Sequence, residues 1–422
     1  MISQPSTFDL QLEKLIYGGE AMGHLPDGRA VFVLFGLPGE RVRVRLMEEK
    51  RGFARGELVE VLEPSPHRIV PRCIHFGLCG GCHYQNLPYE EQLKAKADIL
   101  RDQLTRIGRI ENPPVHEMVP SPSPWNYRNH VQFHLTNEGR LGYMTARVPR
   151  VFAISECHLP KGSINSLWPQ LEFEPGMDLE RVSIRSGMDE ELMLVLESDS
   201  PEPPGLEIEA GISVAHVFAE NTVVIAGNDH VTVRVLDRDF RVSAASFFQV
   251  NTAMAEKMVE HVVAHLPTTP SATLLDIYCG AGLFSAFLAP NFECLIGIEL
   301  SPSACEDFAY NLDEFENVEL YEGVAEEILP ELVGRIARDS IPKGDNPTYV
   351  VVDPPRAGLD KRVLDGLVKL SPQMIAYVSC DPSTLARDAA RLIQGGYQLR
   401  QVTPFDLFPQ TFHIESISIF ER

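Results

Sequence analysis

"LLDIYCGAGLFS", residues 274–285, decides how the second half of this chain is read. Apolar residues deliver Asp276 to the end of a strand, and Gly280-x-Gly282 then opens a helix. Glycine lets the backbone approach a ligand closely at such a turn. About twenty residues later "LIGIEL" ends its strand in Glu299, an acid placed to accept both hydroxyls of a ribose. The third glycine of the dinucleotide fingerprint is missing, with Ser285 in its place. A nucleoside ligand without a pyrophosphate therefore fits best, and S-adenosylmethionine is the expected one.

Outward from this turn, the strands "ATLLDIY", "ECLIGIEL", "NVELYEG", "YVVVDPP" and "MIAYVSC" alternate with helical stretches. A helix over "NTAMAEKMVEHVVAHL" precedes them. This alternation predicts a doubly wound, mainly parallel, Rossmann-like α/β domain over residues 236–422. Ligands of such sheets lie outside the carboxyl ends of the strands. "VVVDPPRAGL" brings Asp353 to that edge, and "YVSCDPSTLARD" brings Cys380 beside it.

An isolated cysteine is most often a small core residue. At a strand end next to Asp353, Cys380 reads as a nucleophile. Carbon 5 of uracil is too weak a nucleophile to accept a methyl group until a thiolate adds at carbon 6. Such covalent catalysis needs a thiol, a base and a methyl donor in one crevice. The base candidate is Glu415 in "FDLFPQTFHIESISIF", where partial desolvation suits a carboxylate to proton removal. The alternative for Glu415 is a surface charge on an edge strand, and His413 reads as a packing or positioning residue.

Residues 8–62 alternate, with Val42, Val44 and Leu46 on one face of a strand and Arg41, Arg43 and Arg45 on the other. Five or so short strands there predict a small OB-like barrel over residues 1–65. The arginine row is either a solvated face or a phosphate track. "YEEQLKAKADILRDQLTRIG" is an amphipathic helix ending at Gly108, expected to pack on the catalytic domain. Short strands punctuated by Pro and Gly follow, so residues 66–235 form a β-rich central domain.

The chain has 422 residues, 44% hydrophobic, without an apolar run of membrane length or a signal-peptide pattern, so the cytoplasm is the expected location. A formal charge of -22 argues against a general nucleic-acid coat protein. Residues 1–110 nevertheless carry 15 Lys and Arg against 14 Asp and Glu, which makes them the better handle for a polyanion. Eight cysteines in such a chain do not suggest a disulfide frame. Cys73, Cys79, Cys82 and Cys157 follow a C-x5-C-x2-C…C pattern that suits zinc or an iron–sulfur cluster. A single C-x-x-C pair leans toward the cluster.

"DIYCGAGLF", "DPPRAGL", "VSCDP" and "FPQTFHIE", with "SFFQVN" at residues 246–251 and "YRNHVQFHL" further forward, together resemble the RNA uracil-C5 methyltransferase family. The N-terminal barrel looks like a TRAM domain, an RNA-binding module. The resemblance implies Cys380 as nucleophile and Glu415 as base, with Gln249, Tyr278, Glu299 and Asp353 at S-adenosylmethionine. It implies a structural [4Fe–4S] cluster on Cys73, Cys79, Cys82 and Cys157, as in the ribosomal-RNA branch. Leu283 departs from relatives that carry asparagine there, so one polar cofactor contact is in doubt. The expected substrate is a flipped or unpaired uridine, in 23S ribosomal RNA rather than transfer RNA, and the expected enzyme is a monomer. Phe247, Phe248 and Phe412 are candidates to stack on it, and Arg128 and the Arg41, Arg43, Arg45 row to hold phosphates. The competing reading is methylation of an exocyclic amine through the Asp-Pro-Pro loop, without the thiol.

Overall fold

The structure is a computed structural model that describes residues 7–205, 211–219, 221–267, 269–337 and 347–422. Alternating apolar residues close the first segment into a five-stranded barrel. Its strands are β1 (Thr7–Leu15), β2 (Glu20–His24), β3 (Ala30–Leu34), β4 (Arg41–Glu49) and β5 (Phe53–Glu63), in the order β1-β2-β3-β5-β4. Val42, Val44 and Leu46 point into its core and the arginines outward, as the alternation predicts. The first six residues of the expected barrel lie outside the described segments.

Helix α1 (Tyr89–Arg106) turns Gln92, Lys96, Ile99, Leu100, Gln103 and Leu104 inward against the catalytic part of the chain. Two polar members of that face, Gln92 and Lys96, are paired. Gln92 bonds Gln410, and Lys96 Nζ donates to Asp406 Oδ1 at 2.6 Å and to the Phe408 carbonyl at 3.0 Å. Both Lys96 and Asp406 are wholly buried. Removing one partner strands the other charge, so Lys96→Met is expected to cost about 3–5 kcal/mol of stability, read by urea unfolding.

The central region folds as a seven-stranded sheet in the order β12-β11-β10-β9-β6-β7-β8. Its strands are β6 (His130–Leu135), β7 (Leu141–Met144), β8 (Val151–Ala153), β9 (Arg181–Ser186), β10 (Leu192–Glu197), β11 (Ser213–Phe218) and β12 (Asn221–Ala226). Helix α2 (Gly162–Leu167) packs on β9. A hairpin of β13 (His230–Val235) and β14 (Arg238–Ser243) follows. The change of pattern expected near residue 236 therefore falls inside its turn, and the hairpin packs on the helices of the catalytic sheet.

Helix α3 (Thr252–His265) leads into that sheet. Its elements are β15 (Thr269–Ile277), α4 (Leu283–Leu288), β16 (Phe292–Glu299), α5 (Pro302–Asn311), β17 (Val318–Glu322), α6 (Ala325–Ala337), β18 (Thr348–Val352), α7 (Lys361–Leu370), β19 (Met374–Ser379), α8 (Pro382–Gln394), β20 (Gln398–Phe405) and β21 (Glu415–Glu421). The strand order is β17-β16-β15-β18-β19-β21-β20, parallel except for β21, which runs antiparallel to both neighbours. Five strands buried on both faces explain the near-continuous apolar runs in the sequence.

Candidate active site

The strand order lines up one edge of the sheet. β16, β15, β18 and β19 end there with Glu299, Tyr278, Asp353 and Cys380 at or just past their last residues, and β21 begins there with Glu415. Ser379 pairs with Ser416 across the antiparallel register, so Cys380 stands opposite Glu415. β18 and β19 are in parallel register through Val352 and Tyr377, which puts Asp353 on the other side of Cys380. Glu415 thus sits on an interior strand and is buried, not on an exposed edge.

At the other end, Glu299 holds the turn that the glycines shape. Its Oε2 accepts the Gly280 N–H at 2.9 Å and its Oε1 the Leu300 and Ser301 N–H groups, each at 2.8 Å. Gly282 has φ +88° and a Cβ there would meet Leu312 at 2.3 Å, so only glycine fits. Gly280 has φ +55° and a Cβ there would project into open space, the cradle a ligand needs. Tyr278 adopts φ 66°, an uncommon conformation for a non-glycine residue, beside this cradle. Leu283 packs into the core and offers no polar contact.

The loop carrying Gln249 spans this edge. Ser246 Oγ meets Ser303 Oγ near Glu299, and Asn251 Nδ2 donates to the Leu407 carbonyl near β21. Of the three phenylalanines considered for stacking, Phe247 is 69% exposed on this loop, whereas Phe248 is buried in the core. Phe412 packs edge-on against Tyr17 and His83.

The crevice is strongly acidic. Burial pushes Asp276 up to about 7, and burial with the neighbouring Asp276 and Glu299 pushes Asp353 up to about 7. Asp276 Oδ2 accepts Ser285 Oγ at 2.6 Å while its Oδ1 is buried without a partner. Glu415 is raised well above the ordinary carboxylate range, first by burial and then by Asp353. Burial, Glu415 and Asp353 push the Cys380 thiol up to about 12, with Arg356 opposing them. Burial lowers His413 to about 3, so it is a neutral ring packed on Phe412 and Phe408.

Arg356 went unnoticed as a separate residue in the sequence, although "DPPRAGL" contains it. It is the cation that faces Cys380, Glu415 and Tyr17. Arg356, Lys361 and Arg391 are exposed and make no ion pair among the described residues. The last two line a cleft of about 350 Å³ beside Tyr278. Asp388 is a further anchor. It is wholly buried and accepts from Tyr377 Oη at 2.9 Å and the Leu359 N–H at 2.8 Å, tying the Asp-Pro-Pro loop to β19 and α8.

Closure of the barrel gives each arginine of the outer row an acidic neighbour. Arg41 pairs with Glu63, Arg43 with Asp9 and Glu60, and Arg45 with Glu57. These arginines already have acidic partners on β1 and β5. Arg43→Gln with Arg45→Gln is expected to change RNA affinity by less than about twofold and to leave its salt slope unaltered, in filter binding across a salt series. Arg128 is half-buried. Its guanidinium lies over the Tyr127 and Phe408 rings, and its Nε has no partner.

The two segments that carry the four early cysteines are neighbours. The 73–82 loop is stitched to residues 144–157 by Gly80 N–H to Met144 O, Ala146 N–H to Leu78 O and Ile74 N–H to Glu156. Cys157 lies within electrostatic reach of Cys73, Cys79 and Cys82. The Cys73, Cys79 and Cys157 sulfurs face the backbone N–H groups of His75, Gly81 and Leu159, and Cys82 faces the Gln85 side chain. Among the described residues no three His, Cys, Asp or Glu side chains are gathered closely enough to hold a metal ion.

The chain thus joins a closed five-stranded barrel to a doubly wound sheet whose glycine turn and strand-end acids share one edge. A family model described as tRNA (Uracil-5-)-methyltransferase matches residues 214–422, and one described as TRAM domain matches residues 5–59. A protein of Aquifex aeolicus named as an uncharacterized RNA methyltransferase is 35% identical over 98% of both chains. One of Halalkalibacterium halodurans, named likewise, is 31% identical over 100% of this chain and 98% of its own. The crystal structure of Pyrococcus abyssi tRNA (uracil-54, C5)-methyltransferase in complex with S-adenosyl-L-homocysteine shares the fold. It aligns at TM-score 0.73 and 24% identity, over 98% of this chain and 100% of that one. The chain belongs to the tRNA (uracil-5-)-methyltransferase family, as an S-adenosylmethionine-dependent RNA methyltransferase with a TRAM domain at its N-terminal side.

Proposed function

We propose that the protein methylates carbon 5 of a flipped or unpaired uridine in 23S ribosomal RNA through a covalent bond from Cys380 to carbon 6. The observation that carries this reading is the order along the sheet edge, with Cys380 between Asp353 and Glu415. S-adenosylmethionine supplies an electrophilic methyl group on a sulfonium. Glu299 takes the ribose end, and Gln249, Tyr278 and Asp353 line the path toward Cys380. Three strand spacings, roughly 14 Å, separate the strand ends of Glu299 and Cys380, which leaves the methyl group between them.

The Cys380 thiolate, its proton lost to solvent, bonds to carbon 6 of the uracil. The carbon 5–carbon 6 π pair moves toward oxygen 4 as an enolate. That pair returns through carbon 5 to the methyl group, and the methyl–sulfur bond breaks onto the departing thioether. Glu415 takes the carbon 5 proton. The released pair restores the ring double bond while the carbon 6–sulfur bond breaks, returning the thiolate. Arg356 offsets the negative charge that develops beside Cys380.

The crevice acids make ligand binding pH-dependent. A carboxyl raised in the folded state contributes stability below its ordinary value near 3.8 and loses it as pH rises through about 7. A bound sulfonium offsets the ionised carboxylates. S-adenosylmethionine is therefore expected to raise the melting temperature more at pH 8 than at pH 6, and neutral-sulfur S-adenosylhomocysteine to show a smaller difference, in a thermal-shift titration.

The four cysteines are read as holding a structural [4Fe–4S] cluster. Support comes from the pairing of the two segments that carry them, from the N–H donors facing the sulfurs, and from Arg128 beside Cys82 and Cys157, a cation against an anionic group. A cluster of several irons spreads its thiolates further apart than a single ion does. Anaerobically purified protein is expected to carry about four irons per chain. We take residues 1–65 and 66–235 as RNA-binding and cluster-bearing parts and 236–422 as catalytic, with α1 packed on the last. We also propose that the enzyme acts in the cytoplasm as a monomer; no helix among the described residues is long and apolar enough to cross a membrane.

Transfer RNA is the second reading, favoured by the Pyrococcus abyssi enzyme, whose title names tRNA and whose fold matches barrel and catalytic part alike. Possession of the barrel therefore does not discriminate. Mass mapping of 5-methyluridine in both RNAs, from cells with and without this protein, tests the assignment. Loss of a 23S position supports it, and loss confined to transfer RNA overturns it.

A further inference from the structure

We propose that Tyr17, from the TRAM barrel, is a positioning residue of the active site that holds the Cys380–Asp381 turn through its hydroxyl. This inference rests on the covalent reading above. The barrel is thereby a wall of the catalytic crevice as well as a site for RNA.

The turn between β1 and β2 reads "YGGE". Gly18 and Gly19 take φ +106° and +83°, conformations open to glycine, and a Cβ on Gly19 would strike the His83 ring at 2.7 Å. The two glycines therefore let the barrel press onto the cysteine-bearing loop, and Tyr17 is pushed across the gap. Its ring packs edge-on against Phe412, with centroids 5.5 Å apart and planes at 84°. Its Oη donates to Asp381 Oδ2 at 3.0 Å, across 364 residues of chain.

Asp381 is held from two sides. Its Oδ1 caps α8, accepting the Ser383 and Thr384 N–H groups at 2.9 and 3.0 Å. Its Oδ2 is left for Tyr17. Ser379 Oγ bonds the Asp381 carbonyl at 3.0 Å, so Cys380 is the middle residue of a turn fastened at both ends. A half-buried hydroxyl on a charged acceptor makes a stronger bond than a neutral pair.

Electrostatics point the same way. The Cys380 sulfur is faced by Glu415 from β21, Asp353 from β18 and Asp381 from its own turn, all opposing a thiolate, and by Arg356, which favours one. Asp381 also lies near Arg387 of α8. Donation by Tyr17 draws charge from the Asp381 carboxylate and keeps it turned to the barrel side. Loss of the hydroxyl frees that oxygen to swing toward the sulfur.

The test is Tyr17→Phe in the full-length protein, beside wild type and Tyr17→Ala. Steady-state methyl transfer gives kcat and KM for RNA, and 5-fluorouridine RNA gives the rate of the covalent adduct. Tyr17→Phe keeps the ring on Phe412, so the melting temperature is expected to hold. The kcat and the adduct rate are expected to fall about tenfold, with KM within about twofold. Tyr17→Ala adds a rise in KM. Wild-type kcat and adduct rate in Tyr17→Phe would overturn the inference, as would a change in KM alone. Absence of adduct from wild-type protein would instead bring down the covalent reading itself, so the two failures are distinguishable.

Discussion

Cys380→Ala is expected to lose methyl transfer by about 10⁴-fold or more in kcat/KM while keeping its affinity for S-adenosylmethionine. The loss is large because no second nucleophile can stand in. Cys279 and Cys305 are buried near Glu299, at the far end of the crevice, and burial raises both thiols. Without addition at carbon 6 the ring never becomes an enolate, so the methyl donor has nothing to attack it. Affinity for the donor is expected to persist because the residues proposed to hold it, Glu299, Gly280 and Asp353, follow other strands. Single-turnover methylation and a calorimetric titration measure the two quantities. Activity within tenfold of wild type would favour the exocyclic-amine reading, which needs the Asp-Pro-Pro loop but no thiol.

Glu415→Gln is expected to separate the two halves of the reaction. Addition and methyl transfer need only Cys380, so the methylated adduct forms. Removal of the carbon 5 proton needs a base, and turnover is expected to fall by about 10²–10⁴-fold. A protein–RNA species that survives denaturing electrophoresis should accumulate with ordinary RNA. Asp353 cannot take over, because it stands on the opposite flank of Cys380, toward the donor. The carboxyl of Glu415 is raised by burial and by Asp353, so in wild type proton removal grows with pH as it ionises, and the variant should lack that limb. Turnover near the wild-type rate, without the trapped species, would remove Glu415 from the role of base.

Much of the site was legible in the chain because its residues end strands of a doubly wound sheet. Asp276, Glu299, Asp353 and Cys380 each follow an apolar run and precede a turn, and one topological rule sends all of them to the same edge. Glu415 was harder. A lone acid at the start of a late strand reads equally well as surface charge, and only the placement of β21 between β19 and β20 puts it against Cys380. Residues whose roles depend on a distant partner were invisible. Nothing local to the helix marks Lys96, which is wholly buried on Asp406, 310 residues away. Nothing near Tyr17 in the chain marks its meeting with Asp381.

The arginine row shows the division most clearly. Alternation placed Arg41, Arg43 and Arg45 on an outer face, since a strand's period of two is local. Whether that face was free or paired depended on Asp9, Glu57, Glu60 and Glu63, which only closure of the barrel brings alongside. Periodicity, glycine turns and strand-end acids are written within a few residues, and from them the chain alone determined its sheet and the shared edge to which the glycine turn, Glu299, Asp353 and Cys380 are brought. The charge balance around that nucleophile, the wall that the barrel adds to it and the buried pair behind it join residues hundreds of positions apart. Those were decided by tertiary packing, because a contact between distant segments leaves no local pattern to read.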